Sequence, residues 1–300
     1  MKTRKKVARK PRPRWPWALV GILVLLVVIA KPVIREYGEY RRTMPFISIT
    51  GTEHVDPDSL PRGLILTEDY LAQFEGLPCL ASKLENIRQN IPIWNAFIDS
   101  AWNQADGLTI DLLMQEHASE LTPVSKGIER SQHAIEKILE RERYSVVGFE
   151  GNDIPKINEA SLRTYTRNLM SSLGLSPIEG DVVAITRDYI AQNGGTRYAQ
   201  RHPDVHLFGC EAESLLSANS CFVYSFKGLR YARGQDPLMD NLVDALEFCR
   251  SEMALAKTIL ELHRLGETRG AIIIGSYHGP AMEGMMKLLR IRGTIYNTAR

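Results

Sequence analysis

From residue 107 onward, short apolar runs alternate with longer amphipathic stretches. Five of the apolar runs fit buried strands, at residues 108–114, 144–149, 205–210, 271–274 and 293–296. A strand-like run also occurs earlier, at residues 46–50. Helices are indicated most clearly at residues 126–143 and 240–265, where apolar side chains recur every three or four positions. The strand, helix, strand order predicts an α/β fold with a mostly parallel sheet and flanking helices.

The first 34 residues differ in composition from the rest of the chain. Residues 1–14 hold eight basic side chains and no acidic one, and residues 15–30 hold no charged side chain. A helix needs about 17 to 25 residues to cross a bilayer, so we predict a transmembrane anchor over residues 15–34, with Lys31 reaching to the interface. A cleaved signal peptide ending at Val28-Ile29-Ala30 is the alternative, although Lys31-Pro32 is a poor context for cleavage.

The charge pattern also predicts where the protein resides. Basic residues ahead of the apolar run hold the N-terminus in the cytoplasm, which makes a single-pass protein of the inner membrane with a periplasmic or extracellular body. Since the whole chain carries +2 and residues 1–14 carry +8, the remainder carries −6. We therefore expect a membrane contact through the N-terminal helix and no binding of nucleic acid.

Four regions follow from these patterns. We predict a basic cytoplasmic tail at residues 1–14, the transmembrane anchor at 15–34, a connecting region at 35–106 and an α/β domain at 107–300. The connecting region contains five prolines, which limit long elements, and we expect separate helices there at residues 82–89 and 94–102.

Polar side chains follow four of the predicted strands at the point where each strand ends. Glu116 and His117 follow the first strand, Glu150 follows the second, Glu211 the third and His278 the fourth. Because the carboxyl ends of parallel strands share one edge of a sheet, these side chains can converge. Imidazole and carboxylate groups serve as acids, bases or metal ligands, so the pattern predicts an active site at this edge.

Two further residues extend this prediction. His278 precedes a helix N-terminus, whose dipole is expected to lower the pKa of the imidazole and keep it neutral. Arg250 lies beside the apolar stripe of the long helix, where it can pair with the carboxylates or stabilise an oxyanion.

Another histidine competes with His117 for a place in the site. The segment Gly51-Thr52-Glu53-His54 also follows a strand-like run. His54 lies 96 residues before Glu150, whereas His117 lies 33 residues before it, a typical length for one βαβ unit. We therefore favour His117.

The cysteine content leaves two interpretations open. In an oxidising compartment the four cysteines form two disulfides with three possible connectivities, and Cys210 and Cys221 are close enough in sequence to close a small loop. The alternative is four buried free thiols. The full set is Cys79, Cys210, Cys221 and Cys249.

The order of these motifs over residues 107–300 resembles the superfamily of erythromycin esterases and Tiki/TraB proteins, which includes haem-binding lipoproteins. Four motifs carry the resemblance: Gln115-Glu116-His117, Glu150, Arg250 in the long helix, and Gly275-Ser276-Tyr277-His278 before a helix. The chain differs in having Met114 three residues before His117, where a glycine is usual, and Ser251 where asparagine often follows the arginine.

The resemblance implies hydrolysis of an ester or amide in a small-molecule or peptide substrate. In this hypothesis His117 or Glu150 is the base, His278 is an acid or ligand, and Arg250 stabilises the oxyanion. The metal ligands would be His117, Glu150 and His278, holding Mn²⁺, Co²⁺ or Zn²⁺. A haem- or metal-binding module without turnover and an envelope scaffold are the alternatives, and a serine nucleophile has little support because no Gly-x-Ser-x-Gly motif occurs.

Overall fold

One sheet with strand order β1-β6-β2-β5-β3-β4 organises the chain. The computed structural model describes residues 47–49, 71–72, 81–116, 126–172, 174–216 and 237–298, all within a unit that spans residues 46–300. The strands are β1 (Ile47–Ile49), β2 (Thr109–Gln115), β3 (Val146–Phe149), β4 (His206–Gly209), β5 (Arg269–Gly275) and β6 (Gly293–Asn297). The helices are α1 (Ala81–Trp102), α2 (Lys126–Glu142), α3 (Glu159–Ser172), α4 (Glu179–Gln192), α5 (Gly194–Arg201), α6 (Pro237–Leu265) and α7 (Gly279–Leu288).

The sheet is parallel from β2 to β6, as the alternation of strands and helices predicts. Strands β2 and β5 pair along their whole length and end together, with Gln115 opposite Gly275. Strand β3 pairs with β5 on one side and with β4 on the other. The carboxyl ends of β2, β5, β3 and β4 therefore share one edge, and the prediction of a mostly parallel sheet is confirmed.

Helices cover both faces of this sheet because successive side chains of a strand point to opposite faces. Ile272 and Ile274 of β5 pack in one core with α1, α6 and α7. Ile273, between them, packs in the other core with α2 and α5. Buried side chains on both faces explain why the central strands read as continuous apolar runs.

The region predicted to connect the anchor to the domain contributes to the sheet unit. Strand β1 adds antiparallel to β6 at the edge of the sheet. Helix α1 is continuous through Pro92, so the expectation of two short helices is wrong. Ile87, Ile98 and Ala101, from both sides of the proline, are buried in one core, and this shared packing holds the helix together despite the missing N–H group.

The residues of the predicted anchor and tail lie outside the described residues. Among the helices that the structure does describe, none has both the length and the apolar character needed to cross a membrane.

Candidate active site

The structure brings four of the predicted site residues into direct contact at the carboxyl edge of the sheet. Arg250 of α6 is the centre of the group: its Nη2 donates to Glu150 Oε1 at 3.0 Å and its Nε donates to Glu211 Oε1 at 2.6 Å. His278, in a 3-10 turn after β5, has its Nε2 at 3.1 Å from the same Glu150 Oε1. Side chains more than 100 positions apart in the chain therefore form one buried cluster.

The remaining predicted residues lie elsewhere or outside the described residues. The carboxylate of Glu116 lies against Gly127 in the first turn of α2, where a Cβ added to the glycine would be 2.7 Å from Oε2. His117 falls in residues 117–125, outside the described part of the chain, and His54 is also outside it. Because β1 is antiparallel to β6, its carboxyl end lies at the opposite edge of the sheet from Glu150.

Two residues of the cluster were missed by the sequence analysis. Glu247 receives a hydrogen bond from Arg250 Nη1 at 2.8 Å, and its other oxygen lies 3.0 Å from His278 Nε2. Ser251 Oγ lies 2.8 Å from His278 Nδ1. A signal was present, because positions three and four apart share one face of a helix. Glu247 stands three positions before Arg250 and four positions before Ser251. Six residues form the acid–base cluster: Glu150, Glu211, Glu247, Arg250, Ser251 and His278.

The contacts of His278 favour an imidazolium ion, with a proton on each nitrogen. The Ser251 hydroxyl lies 2.8 Å from the carbonyl oxygen of Glu247 and 2.8 Å from His278 Nδ1, and when its one hydrogen goes to the carbonyl oxygen, Nδ1 donates to Ser251. Nε2 faces the carboxylates of Glu150 and Glu247, which accept hydrogen bonds and cannot donate them when ionised. Two negative groups beside Nε2 stabilise the charged form of the imidazole.

The electrostatics of His278 agree with this geometry. Burial alone would lower its pKa, but the hydrogen bonds to Glu150 and then Glu247 outweigh burial and raise the pKa to about 10. The expectation that the dipole of the following helix keeps this histidine neutral is wrong. Two carboxylates at hydrogen-bond distance act more strongly on the imidazole than the partial charge of a helix end does.

The carboxylates differ in their surroundings. Glu211 is fully buried, and burial raises its pKa against the opposing charge of Arg250. It also accepts a hydrogen bond from the Gly151 N–H at 2.7 Å. For Glu247, burial would raise the pKa, but the hydrogen bond from His278 and the charge of Arg250 outweigh burial and lower it. Glu150 accepts from Arg250, from His278 and from the Gly275 N–H.

The cluster opens to solvent at Glu247. The side chain of Glu247 is 25% exposed, whereas those of Arg250 and His278 are 7% and 2% exposed. Among the described residues, three of the five N–H groups of Arg250 are engaged by carboxylates. This leaves one N–H on each terminal nitrogen of the guanidinium group for a ligand.

Three donor atoms of the cluster also have the proximity that a metal ion requires. Ligand atoms of Glu150, Glu211 and His278 lie within 4.8 Å of one another. Carboxylate and imidazole ligands suit Mn²⁺, Co²⁺ and Zn²⁺. Coordination by His278 would require Nε2 to lose its proton, because imidazolium has no lone pair to offer.

Cys210 and Cys249 are buried free thiols, so neither forms a disulfide. Burial raises the pKa of both thiols. Cys79 and Cys221 lie outside the described residues. The free-thiol interpretation is therefore confirmed for Cys210 and Cys249.

The fold and the cluster together define an α/β protein with a buried, ionised acid–base group at the carboxyl edge of its parallel strands. Comparisons of the chain with protein-family models, with curated proteins and with solved structures each find no match. The resemblance to the erythromycin esterase and Tiki/TraB superfamily therefore stays a prediction.

Proposed function

We propose that this protein is a membrane-anchored hydrolase that cleaves an ester or amide outside the cytoplasm. One observation carries the proposal: the imidazolium of His278 is held between two carboxylates, with Ser251 fixing its other nitrogen. An ionised acid that is buried, oriented and placed at the carboxyl edge of a parallel sheet is typical of catalytic groups.

In this mechanism His278 is the proton donor. Water adds to the carbonyl carbon, a base accepts the proton of the water, and the bond to the leaving oxygen or nitrogen breaks. The leaving atom takes the proton from Nε2, because an expelled alkoxide or amide nitrogen is a much stronger base than the imidazole. The base returns its proton to His278 after product leaves. His117 is the proposed base, since it follows β2, which ends beside β5 at Gln115 and Gly275.

The other members of the cluster hold and balance the charges. The two remaining N–H groups of Arg250 suit the oxyanion that develops on the carbonyl oxygen. Glu150 accepts three hydrogen bonds, which engage three of the about four lone-pair sites of its carboxylate, so we assign it to positioning Arg250 and His278 and not to the role of base. This changes the role expected for Glu150 from the sequence.

Hydrolysis of p-nitrophenyl acetate and of a fluorogenic peptide amide by the full-length chain tests the proposal. We expect His278→Asn to lower kcat/KM for the peptide amide by about 100-fold or more, because it removes the acid while keeping a hydrogen-bond donor. The loss for p-nitrophenyl acetate should be smaller, because its leaving group departs without a proton. The matched control is His133→Asn, since His133 is 62% exposed on α2 and pairs only with Glu136 among the described residues. Equal rates for the two variants, or no hydrolysis by the unaltered chain, would contradict the proposal.

A metal-dependent hydrolase, or a metal- or haem-binding protein without turnover, is the second candidate, favoured by the grouping of Glu150, Glu211 and His278. At pH 7 a proton with a pKa of about 10 competes roughly a thousandfold against a metal at Nε2. We therefore expect the affinity for Mn²⁺, Co²⁺ or Zn²⁺ to rise about tenfold per pH unit between pH 7 and 9.

Equilibrium dialysis followed by elemental analysis measures this affinity, with His133→Asn again as the control. A site that uses His278 loses this pH dependence in His278→Asn. An affinity that is the same at pH 7 and 9 rules out coordination by His278. A Soret band on adding haem, without hydrolysis of either substrate, would favour the binding module.

The cellular part of the proposal rests on the composition of residues 1–34 alone. An uncleaved anchor at residues 15–34 would place residues 35–300 outside the cytoplasm. Protease added to spheroplasts should then degrade the body while the membrane stays intact, and protection of the body would contradict this orientation.

A further inference from the structure

A cleft of about 660 Å³ lies next to the acid–base cluster. Met253 and Lys257, three and seven positions after Arg250 on α6, line it and share a helix face with the arginine. Lys257 donates to the main-chain carbonyl of Glu211 at 2.5 Å, and Ala212, the next residue in the chain, lines the cleft. Helix α1 contributes Ile93, Trp94 and Phe97 to the lining of the cleft, and Asp153 and Glu213 contribute carboxylates.

The apolar part of the cleft comes from α1. Trp94 and Phe97 are only partly buried against the core, and Ile93 is 65% exposed. Two aromatic rings one turn apart on a helix offer a flat apolar surface to a ligand ring. A ligand ring that packs on these two side chains would remove their exposed apolar surface from water.

The charged side chains of the cleft include a cation and two anions. The ammonium group of Lys257 has one of its three N–H groups engaged by the Glu211 carbonyl among the described residues. Burial lowers the pKa of Lys257, which is half-buried. Asp153 and Glu213 line the same cleft, and the negative charge of Asp153 acts on Lys257 and opposes the lowering of its pKa. The cleft thus offers a donor at its lysine and acceptors at its two carboxylates.

We propose that this cleft binds a small aromatic amine that also carries a carbonyl or carboxylate oxygen. The ring packs on Trp94 and Phe97, the ammonium group pairs with Asp153 and Glu213, and the oxygen accepts from Lys257. Charge complementarity requires both ends, because an anion alone would meet the two carboxylates and a cation alone would meet the lysine. The proposal stands apart from hydrolysis, since binding here uses no atom of His278.

Four probes that differ by one group each test the three contacts. L-Phenylalaninamide has the ring, the amine and the carbonyl. N-acetyl-L-phenylalaninamide lacks the amine, phenethylamine lacks the carbonyl and alaninamide lacks the ring. Ligand-observed NMR titration of the full-length chain in nanodiscs gives each Kd, with empty nanodiscs as the blank. We expect phenylalaninamide to bind below about 10 mM and each of the others at least fivefold more weakly.

Variants assign each contact to its residue. Lys257→Met should weaken phenylalaninamide but not phenethylamine, whose ammonium group is no longer repelled by the lysine. The double variant Asp153→Asn with Glu213→Gln should weaken phenylalaninamide but leave the uncharged acetylated probe unchanged. The exposed Lys137→Met, on α2, is the control and should change neither. Asp153 is partly exposed and Glu213 is exposed, so the carboxylate variants test the site even where loss of the lysine prevents folding.

Similar affinities for all four probes, or no probe-selective loss in the variants, would overturn the cleft assignment. His278→Asn should bind phenylalaninamide as the unaltered chain does. If His278→Asn loses hydrolysis but still binds phenylalaninamide, the active site and the cleft act independently. If the cleft variants lose binding but still hydrolyse both substrates, the cleft proposal holds without depending on the active-site proposal.

Discussion

Replacing Arg250 with methionine should destabilise the folded chain by about 4 kcal/mol. The guanidinium group lies between Glu150, Glu211 and Glu247 and is itself 7% exposed, so its removal leaves three carboxylates without their shared partner. Breaking a buried ion pair from one side costs more than the pair contributes, because the remaining charge is neither hydrated nor paired. Urea unfolding of the full-length chain in detergent, followed by circular dichroism, measures the change.

The same helix provides a matched control for this experiment. Arg264 pairs with Glu261 three positions earlier, as Arg250 pairs with Glu247, but its side chain is 56% exposed. Arg264→Met should change stability by no more than about 0.5 kcal/mol. Adding Glu211→Gln to Arg250→Met should recover part of the loss, since it removes one uncompensated charge. Equal effects of the two arginine variants would mean that the cluster is hydrated and not closed as described.

The stability of the folded chain should fall as the pH rises from about 6.5 to 10, because of His278. Its folded pKa of about 10 lies above the ordinary value of 6.5, so its contribution is complete below pH 6.5 and is lost as the pH passes 10. The difference in pKa corresponds to at most about 5 kcal/mol, lost at a limiting slope of about 1.4 kcal/mol per pH unit.

The difference between the unaltered chain and His278→Asn isolates this effect. Asparagine keeps a donor toward Glu150 and Glu247 but does not titrate, and all other groups titrate in both proteins. Urea midpoints across this pH range should therefore converge as the pH rises, whereas His133→Asn should run parallel to the unaltered chain. Parallel curves for His278→Asn would show that the imidazole is neutral at pH 7, and the role of proton donor would be lost with it.

The sequence predicted the secondary structure well where burial dictates the pattern. Strands β2 and β5 read as apolar runs because the sheet is covered on both faces. Helix α6 was recognised from its apolar stripe, of which Leu246, Cys249, Met253 and Ala256 are buried. The break expected at Pro92 failed because proline propensity is local, whereas Ile87 and Ile98 pack into the same core.

The candidate site could be predicted only in part. Glu150, Glu211 and His278 were found because each follows a buried strand, and strand ends are visible in the sequence. Glu247 and Ser251 were missed because a helix carries many polar residues. The spacings of three and four that separate Glu247 from Arg250 and from Ser251 acquire meaning only once that face of α6 is known to meet the sheet edge. The pKa of His278 was misjudged for the same reason, since the nearest charges come from residues far away in sequence.

The sequence by itself determined the α/β alternation, the strands that are buried and the polar residues that end them, because these depend on local periodicity and on which side chains avoid water. Only the tertiary structure decided that Arg250 joins three carboxylates, that His278 faces two of them, and that α1 and α6 share an aromatic cleft. Electrostatic interaction depends on distance in space, and the distances within the cluster are set by the packing of α6 against the sheet edge.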